Sequence, residues 1–174
     1  MTSKERIKNY PRHPSQRGEF GFELYKAMSE NKDIFLLVGD LGYKLFDPHF
    51  EDFPDRCINC GAAEQAMMGI ACGLALEGKI PFVFSVTNFV LYRPYETIRN
   101  YVNAERIPVK IIGSGRDCDY QYDGFSHMSS DAKNVLANFP NICQYWPDTN
   151  EEVAHDLKEM IHNDRPSFIS LTRK

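Results

Sequence analysis

Glu64 is the residue with the most to offer chemically. It opens a stretch, AAEQAMMGIACGLALEGK (62–79), that is apolar nearly all round a helical wheel, so the helix is expected to be buried on every side. Met68, Ala71 and Ala75 follow on the face of Glu64. The plain role for this acid is a cap: with Gly61 as N-cap it falls at N3, where it meets the helix dipole and unpaired N–H groups. The chemical role is a buried carboxyl with a raised pKa, held for proton transfer. Residue types alone leave both open. The other candidates stand just past apolar runs. Asp40 follows IFLLVG (34–39), where a turn or capping acid is the plain role. Phe89 and Tyr92 follow PFVFSV (81–86), where a flat ligand ring could stack. His127 closes DCDYQYDGFSH (117–127), a polar loop in which a lone histidine is ordinarily solvated.

Other motifs are weak. Cys57 and Cys60 form a CxxC, with no second CxxC or CxxH to complete a zinc site. They read as two small residues at a strand-to-helix junction. The five histidines lack ligand spacing such as HExxH, and no metal site is expected in this chain. GSG at 113–115 lacks the rest of a GxGxxG pattern. Twenty Lys and Arg against twenty-four Asp and Glu give a net charge of -4, which excludes a broadly basic nucleic-acid binder. No apolar run reaches the ~20 residues of a membrane span. The N-terminal MTSKERIKNYPRH lacks the apolar core of a signal peptide, so a cytoplasmic location is expected.

The elements that must position these residues alternate. Residues 1–16 read as an extended arm, and 17–174 as one domain. Helices are predicted over 18–31, from Gly61, over 92–103, 129–138 and 150–163. Strands are predicted at 34–39, 57–59, 81–86, 109–115, 141–146 and 167–171, with a loop over 40–56. This alternation predicts an α/β fold: three αβα layers around a mostly parallel sheet. Ligands in such folds sit beyond the carboxyl ends of the strands, so the loops after 39, 86 and 115 should crowd together.

In this order, the pieces RGEFGFEL, FLLVGDLG, CINCGAAEQAMMGIACGLALEGKIPFVFSV, NFVLYRPYETIRN, PVKIIGSG, DGFSH and RPSFISLTRK resemble the pyrimidine-binding domain of transketolases. The likeness covers about 17–174 and implies that domain's thiamine-diphosphate-binding fold. It implies thiamine diphosphate as cofactor, with Glu64 hydrogen-bonding N1′ of the aminopyrimidine and favouring the imino tautomer that deprotonates thiazolium C2. It implies Phe89 and Tyr92 around that ring, with Val86 standing where the family has a further aromatic. Asp40 matches an acid near cofactor and donor. His127 matches a histidine on a donor oxygen, and Arg17 an arginine that binds sugar phosphate. Trp146 stands where a second phosphate-binding arginine is expected, and Lys44 where a serine is expected. An indole cannot replace a guanidinium fork, and a lysine acts only as a point charge. The substrate is therefore expected to be a sugar or sugar derivative other than an ordinary sugar phosphate, for instance a nucleotide-linked sugar with a base stacked on Trp146.

The family's diphosphate-binding GDG motif with its downstream Asn does not occur in this sequence; GDLG (39–42) belongs to the pyrimidine half. The resemblance therefore implies the small subunit of a split transketolase-like enzyme. A separate diphosphate-binding subunit would hold Mg²⁺, in a heterotetramer with two copies of each chain. The reaction implied is transfer of a two-carbon ketol unit between sugars. The alternatives are a split carboligase or 2-oxoacid decarboxylase subunit, and a non-catalytic regulatory module.

Overall fold

Six apolar runs become strands in the computed structural model, which describes residues 3–173. They are β1 (Ile34–Val38), β2 (Cys57–Asn59), β3 (Ile80–Val86), β4 (Lys110–Ser114), β5 (Cys143–Tyr145) and β6 (Ser167–Leu171). All neighbours pair parallel, in the order β2-β1-β3-β4-β6-β5. The central strands are apolar on both faces because both are covered. Leu37, Val83 and Ile111 point into one core, while Leu36, Phe82 and Ile112 point into the other.

The helices are α1 (Ser3–Lys8), α2 (Gln16–Glu30), α3 (Asp47–Asp52), α4 (Glu64–Leu76), α5 (Thr87–Tyr92), α6 (Tyr95–Thr97), α7 (Ala132–Leu136) and α8 (Asn150–His162). Pro94 separates α5 from α6, which runs on as a π-helix over Ile98–Ala104. α2 and α8 cover one face of the sheet, and α4, α5 and α7 the other. The ends of α2 and α8 are set by side chains. Ser15 accepts from the N–H of Gly18, and Thr149 with Glu152 forms a capping box. No helix among the described residues is long and apolar enough to cross a membrane.

Four expectations change. The N-terminal arm is not wholly extended, since Ser3–Lys8 is helical. Arg6 pairs with Asp52, and the Tyr10 hydroxyl donates to Leu45 O at 2.9 Å, tying the segment to the domain. The loop over 40–56 holds α3, with Pro48 in its first turn, and a 3-10 turn at Pro54–Arg56. The helix expected from Tyr92 starts at Thr87, where Thr87 Oγ1 donates to Gly115 O at 2.7 Å and fixes the turn out of β3. Finally, α4 is not buried all round. One face packs on the sheet; the other leaves Leu76 72% and Ile70 43% exposed. A helix lying on a sheet can bury only the face it turns to it.

Candidate active site

α4 begins at Glu64 itself, with Ala63 as N-cap and the chain turned in by Gly61 at φ 69°. The acid is therefore N1, not N3, and its side chain does not cap. It is 1% exposed and points to the carboxyl ends of β1 and β3. Ser85 Oγ, the polar interruption in an apolar strand, donates to Glu64 Oε1 at 3.0 Å. Arg93 Nη1 donates to Oε2 at 2.6 Å. Gly39 makes the approach possible, because a Cβ there would stand 3.3 Å from both Glu64 Oε1 and Ser85 Oγ.

From Glu64 a continuous path of side chains crosses the end of the sheet. The Arg93 guanidinium lies 3.8 Å over the Phe89 ring. Phe89 meets the His127 ring edge-on at 4.9 Å, and His127 lies 6.4 Å from the Tyr120 ring. The Tyr120 hydroxyl accepts from Arg17 Nη1 at 3.1 Å. The loop carrying His127 is fastened by Asn88 Nδ2, which donates to Ser126 O and Met128 O. The loops after 39, 86 and 115 thus meet, as alternation of strand and helix predicts.

Beyond Tyr120 lies a cavity of about 460 Å³, bounded by Arg12, Arg17, Tyr43, Lys44, Phe84 and Tyr120 among others. Arg17 Nε is buried there without a partner. Asp40 and Lys44 hold left-handed backbone, at φ 55° and 64°, around Gly42. The exposed Asp40 carboxylate accepts from the Tyr43 hydroxyl at 2.5 Å and from Asn59 at 3.2 Å, and these bonds, Tyr43 first, lower its pKa. Two expected site residues are not drawn into this cluster. Tyr92 is turned to α7, its hydroxyl 2.5 Å from Asp131; burial first, and then this bond, raise its pKa. Trp146 packs on Phe168 at 5.6 Å and does not line the cavity. The CxxC is inert in another way: Cys57 is buried in β2, which pushes its thiol up to about 12.

Three residues of this cluster escape sequence reasoning. Ser85 was legible as the single hydroxyl in a buried strand. Arg93 follows Phe89 by four residues, a spacing that brings the two together once α5 starts at Thr87. Tyr120 carries no local signal.

A family model described as the transketolase, pyrimidine binding domain matches residues 14–174. The chain belongs to this family. It is 32% identical over 124 residues, 71% of its length, to the 6-deoxy-6-sulfo-D-fructose transketolase subunit SqwH of Clostridium sp. (strain MSTE9), covering 38% of that protein. It is 28% identical to the 1-deoxy-D-xylulose-5-phosphate synthase of Clostridium kluyveri, over 88% of this chain and 24% of that one. Among solved structures, a split gene transketolase, an inactive beta4 tetramer, superposes with a TM-score of 0.81 at 29% identity, over 92% of this chain and 52% of that one. The chain spans about half or less of the length of the first curated relatives, from 38% to 52%.

Membership of the transketolase family implies dependence on thiamine diphosphate. The residues present fit the pyrimidine end of that cofactor. A buried carboxyl at Glu64 and an aromatic face at Phe89 both meet the Arg93 guanidinium, and the glycine at 39 leaves room above the carboxyl.

Proposed function

We propose that this chain is the pyrimidine-binding subunit of a split transketolase-like enzyme that transfers a two-carbon ketol unit between sugars. The observation that carries this reading is the buried Glu64 carboxyl beside Phe89, at the head of a helix whose far side is apolar and exposed. When bound, thiamine diphosphate supplies the carbanion chemistry that the protein's side chains lack. Glu64 accepts or donates the proton at the ring nitrogen, held in place by Ser85. Phe89 gives the ring a face to stack on. His127 and Asp40 stand near the reacting end of the donor, where they hydrogen-bond its oxygens.

Arg17 and Lys44 face the cavity as the cations for an anionic substrate head group, Arg17 with a donor to spare. A sulfonated sugar named for one relative has such a head group. The diphosphate and its Mg²⁺ would be held by a separate subunit seated against the exposed face of α4, in a heterotetramer with two copies of each chain. This chain would then work where soluble sugars do, in the cytoplasm.

The test is to purify the chain alone and with candidate diphosphate-binding partners, then assay ketol transfer with thiamine diphosphate and Mg²⁺. Activity is expected only with a partner; full activity of the isolated chain overturns the split arrangement. A second reading, a carboligase using pyruvate, is favoured by the synthase relatives. Ketose donors tested against pyruvate separate the two.

A further inference from the structure

To a carboxylate and an aromatic face, a guanidinium and an aminopyrimidine look alike. Both are flat, both donate N–H bonds in their plane, and both lay a π face on a ring. Arg93 uses both properties at once. Its Nη1 lies 2.6 Å from Glu64 Oε2, and its Cζ lies 3.8 Å above Phe89. These are the two surfaces that the preceding reading assigns to the cofactor ring. A separation of 3.8 Å is contact distance, so nothing fits between Arg93 and Phe89. Arg93 and an aminopyrimidine cannot hold this shelf together.

Arg93 is also able to leave. Its side chain is 44% exposed, and it sits at the end of α5, just before Pro94 breaks the helix. Glu64 has reason to hold it until then. Ser85 satisfies one carboxylate oxygen, and a buried carboxylate with its other oxygen bare would be costly.

We propose that Arg93 is a placeholder for the aminopyrimidine: it fills the Glu64–Phe89 shelf while the shelf is free and swings to solvent when the ring arrives. The inference rests on the reading of Glu64 and Phe89 as the cofactor site. It makes Arg93 a regulator of cofactor affinity, because only molecules with the shelf vacated can take the ring, and the apparent affinity falls by that fraction.

The experiment titrates thiamine, which carries the aminopyrimidine without the diphosphate, into the full chain, by calorimetry and by NMR. The proteins are wild type, Arg93→Ala, Arg93→Lys and Glu64→Ala. Arg93→Ala should bind thiamine about threefold to tenfold tighter than wild type, with Arg93→Lys between, since lysine keeps the charge but not the flat face. Unchanged or weaker binding by Arg93→Ala overturns the placeholder and makes Arg93 a permanent support for Glu64.

A second readout needs no variant. The wild-type Arg93 Nε–H signal should be shifted by the Phe89 ring current and should lose that shift as thiamine saturates. A shift that persists at saturation also overturns the proposal. Glu64→Ala reports on the underlying reading. If it binds as wild type does, or if no protein binds saturably, the cofactor assignment falls and the placeholder with it. If it loses binding while Arg93→Ala weakens, only the placeholder falls.

Discussion

Lys110 and Glu64 are both 1% exposed, one at each end of the sheet. Lys110 opens β4 at the amino end. Its three N–H groups meet three acceptors, Asn163 O at 2.8 Å, Asn163 Oδ1 at 2.9 Å and Arg165 O at 2.7 Å. Burial pulls its pKa down to about 8, and every partner comes from the turn between α8 and β6. Glu64, at the carboxyl end, has one fixed partner in Ser85 and one movable partner in Arg93. One charge is closed over by backbone and serves the fold. The other depends on a side chain that water can reach, and so remains available to a ligand. His49 is a third case: it is fully buried among Tyr10, Tyr25 and Phe46, with both ring nitrogens unpartnered.

The sharpest way to break this contrast is Glu64→Ala. Turnover of the assembled enzyme should fall by about 10²–10⁴-fold, the usual contribution of a proton-transferring group. The fold should be nearly unaffected, because Arg93 can turn to solvent. Steady-state rates beside a thermal unfolding curve check both, and near-normal turnover would refute the role given to Glu64.

His49 sets the scale for a buried group with no partner. Burial pushes its pKa down to about 3 from the ordinary 6.5. As pH drops below 6.5 the unfolded chain takes up a proton that the folded chain refuses, so stability is lost progressively toward pH 3. Between pH 6.5 and 4 the loss is about 3 kcal/mol. His49→Leu should lack this component, seen as a shallower fall of urea stability with acid. Equal slopes in the two proteins would mean that the imidazole finds a partner.

Lys110→Met should do the reverse of Glu64→Ala. It takes the ammonium from Asn163 O, Asn163 Oδ1 and Arg165 O, of which Ser167 Oγ still reaches the last two, at a cost of about 2 kcal/mol in urea unfolding. Thiamine diphosphate binding and turnover should stay at wild-type levels once the protein is folded. A selective loss of turnover would move Lys110 from the fold to the site.

The two ends also differ in how well the sequence exposes them. The strands were legible because runs such as IFLLV are apolar at every position, as burial on both faces requires. The start of α5 was not, because the junction SVTNFVLY has no Gly, Pro or Asp to mark the change. The turn is made by a tertiary bond from Thr87 to the end of β4. That error hid Arg93, since a helix begun at Tyr92 puts Phe89 and Arg93 on different elements. α3 was missed because DPHFED has loop composition. Asp40, Phe89 and His127 were placed at the correct end of the sheet by alternation alone. The family likeness sets Trp146 at a substrate position, whereas its ring turns inward onto Phe168.

The exposed face of α4 is where sequence and single-chain structure disagree most usefully. An all-round apolar helix is expected to be buried, yet Leu76 is 72% exposed. Periodicity reports how much apolar surface must leave water. It does not report whether the cover belongs to the same chain. If a partner covers it, the helix that holds Glu64 in the site is the same one that recruits the other half. Leu76→Asp then separates two quantities that Glu64→Ala and Lys110→Met leave joined. Stability of the isolated chain should change little, because the side chain already stands in water. Assembly with the diphosphate-binding partner should weaken by about tenfold, or ~1.4 kcal/mol, when a charge is forced into an apolar contact. Turnover at saturating partner should recover, since Leu76 lies three turns from Glu64 along α4. Sedimentation or calorimetry of the mixed chains gives the first quantity, and rates titrated against partner give the second. Unchanged assembly would place the partner on another face and leave the apolar side of α4 to a second copy of this chain.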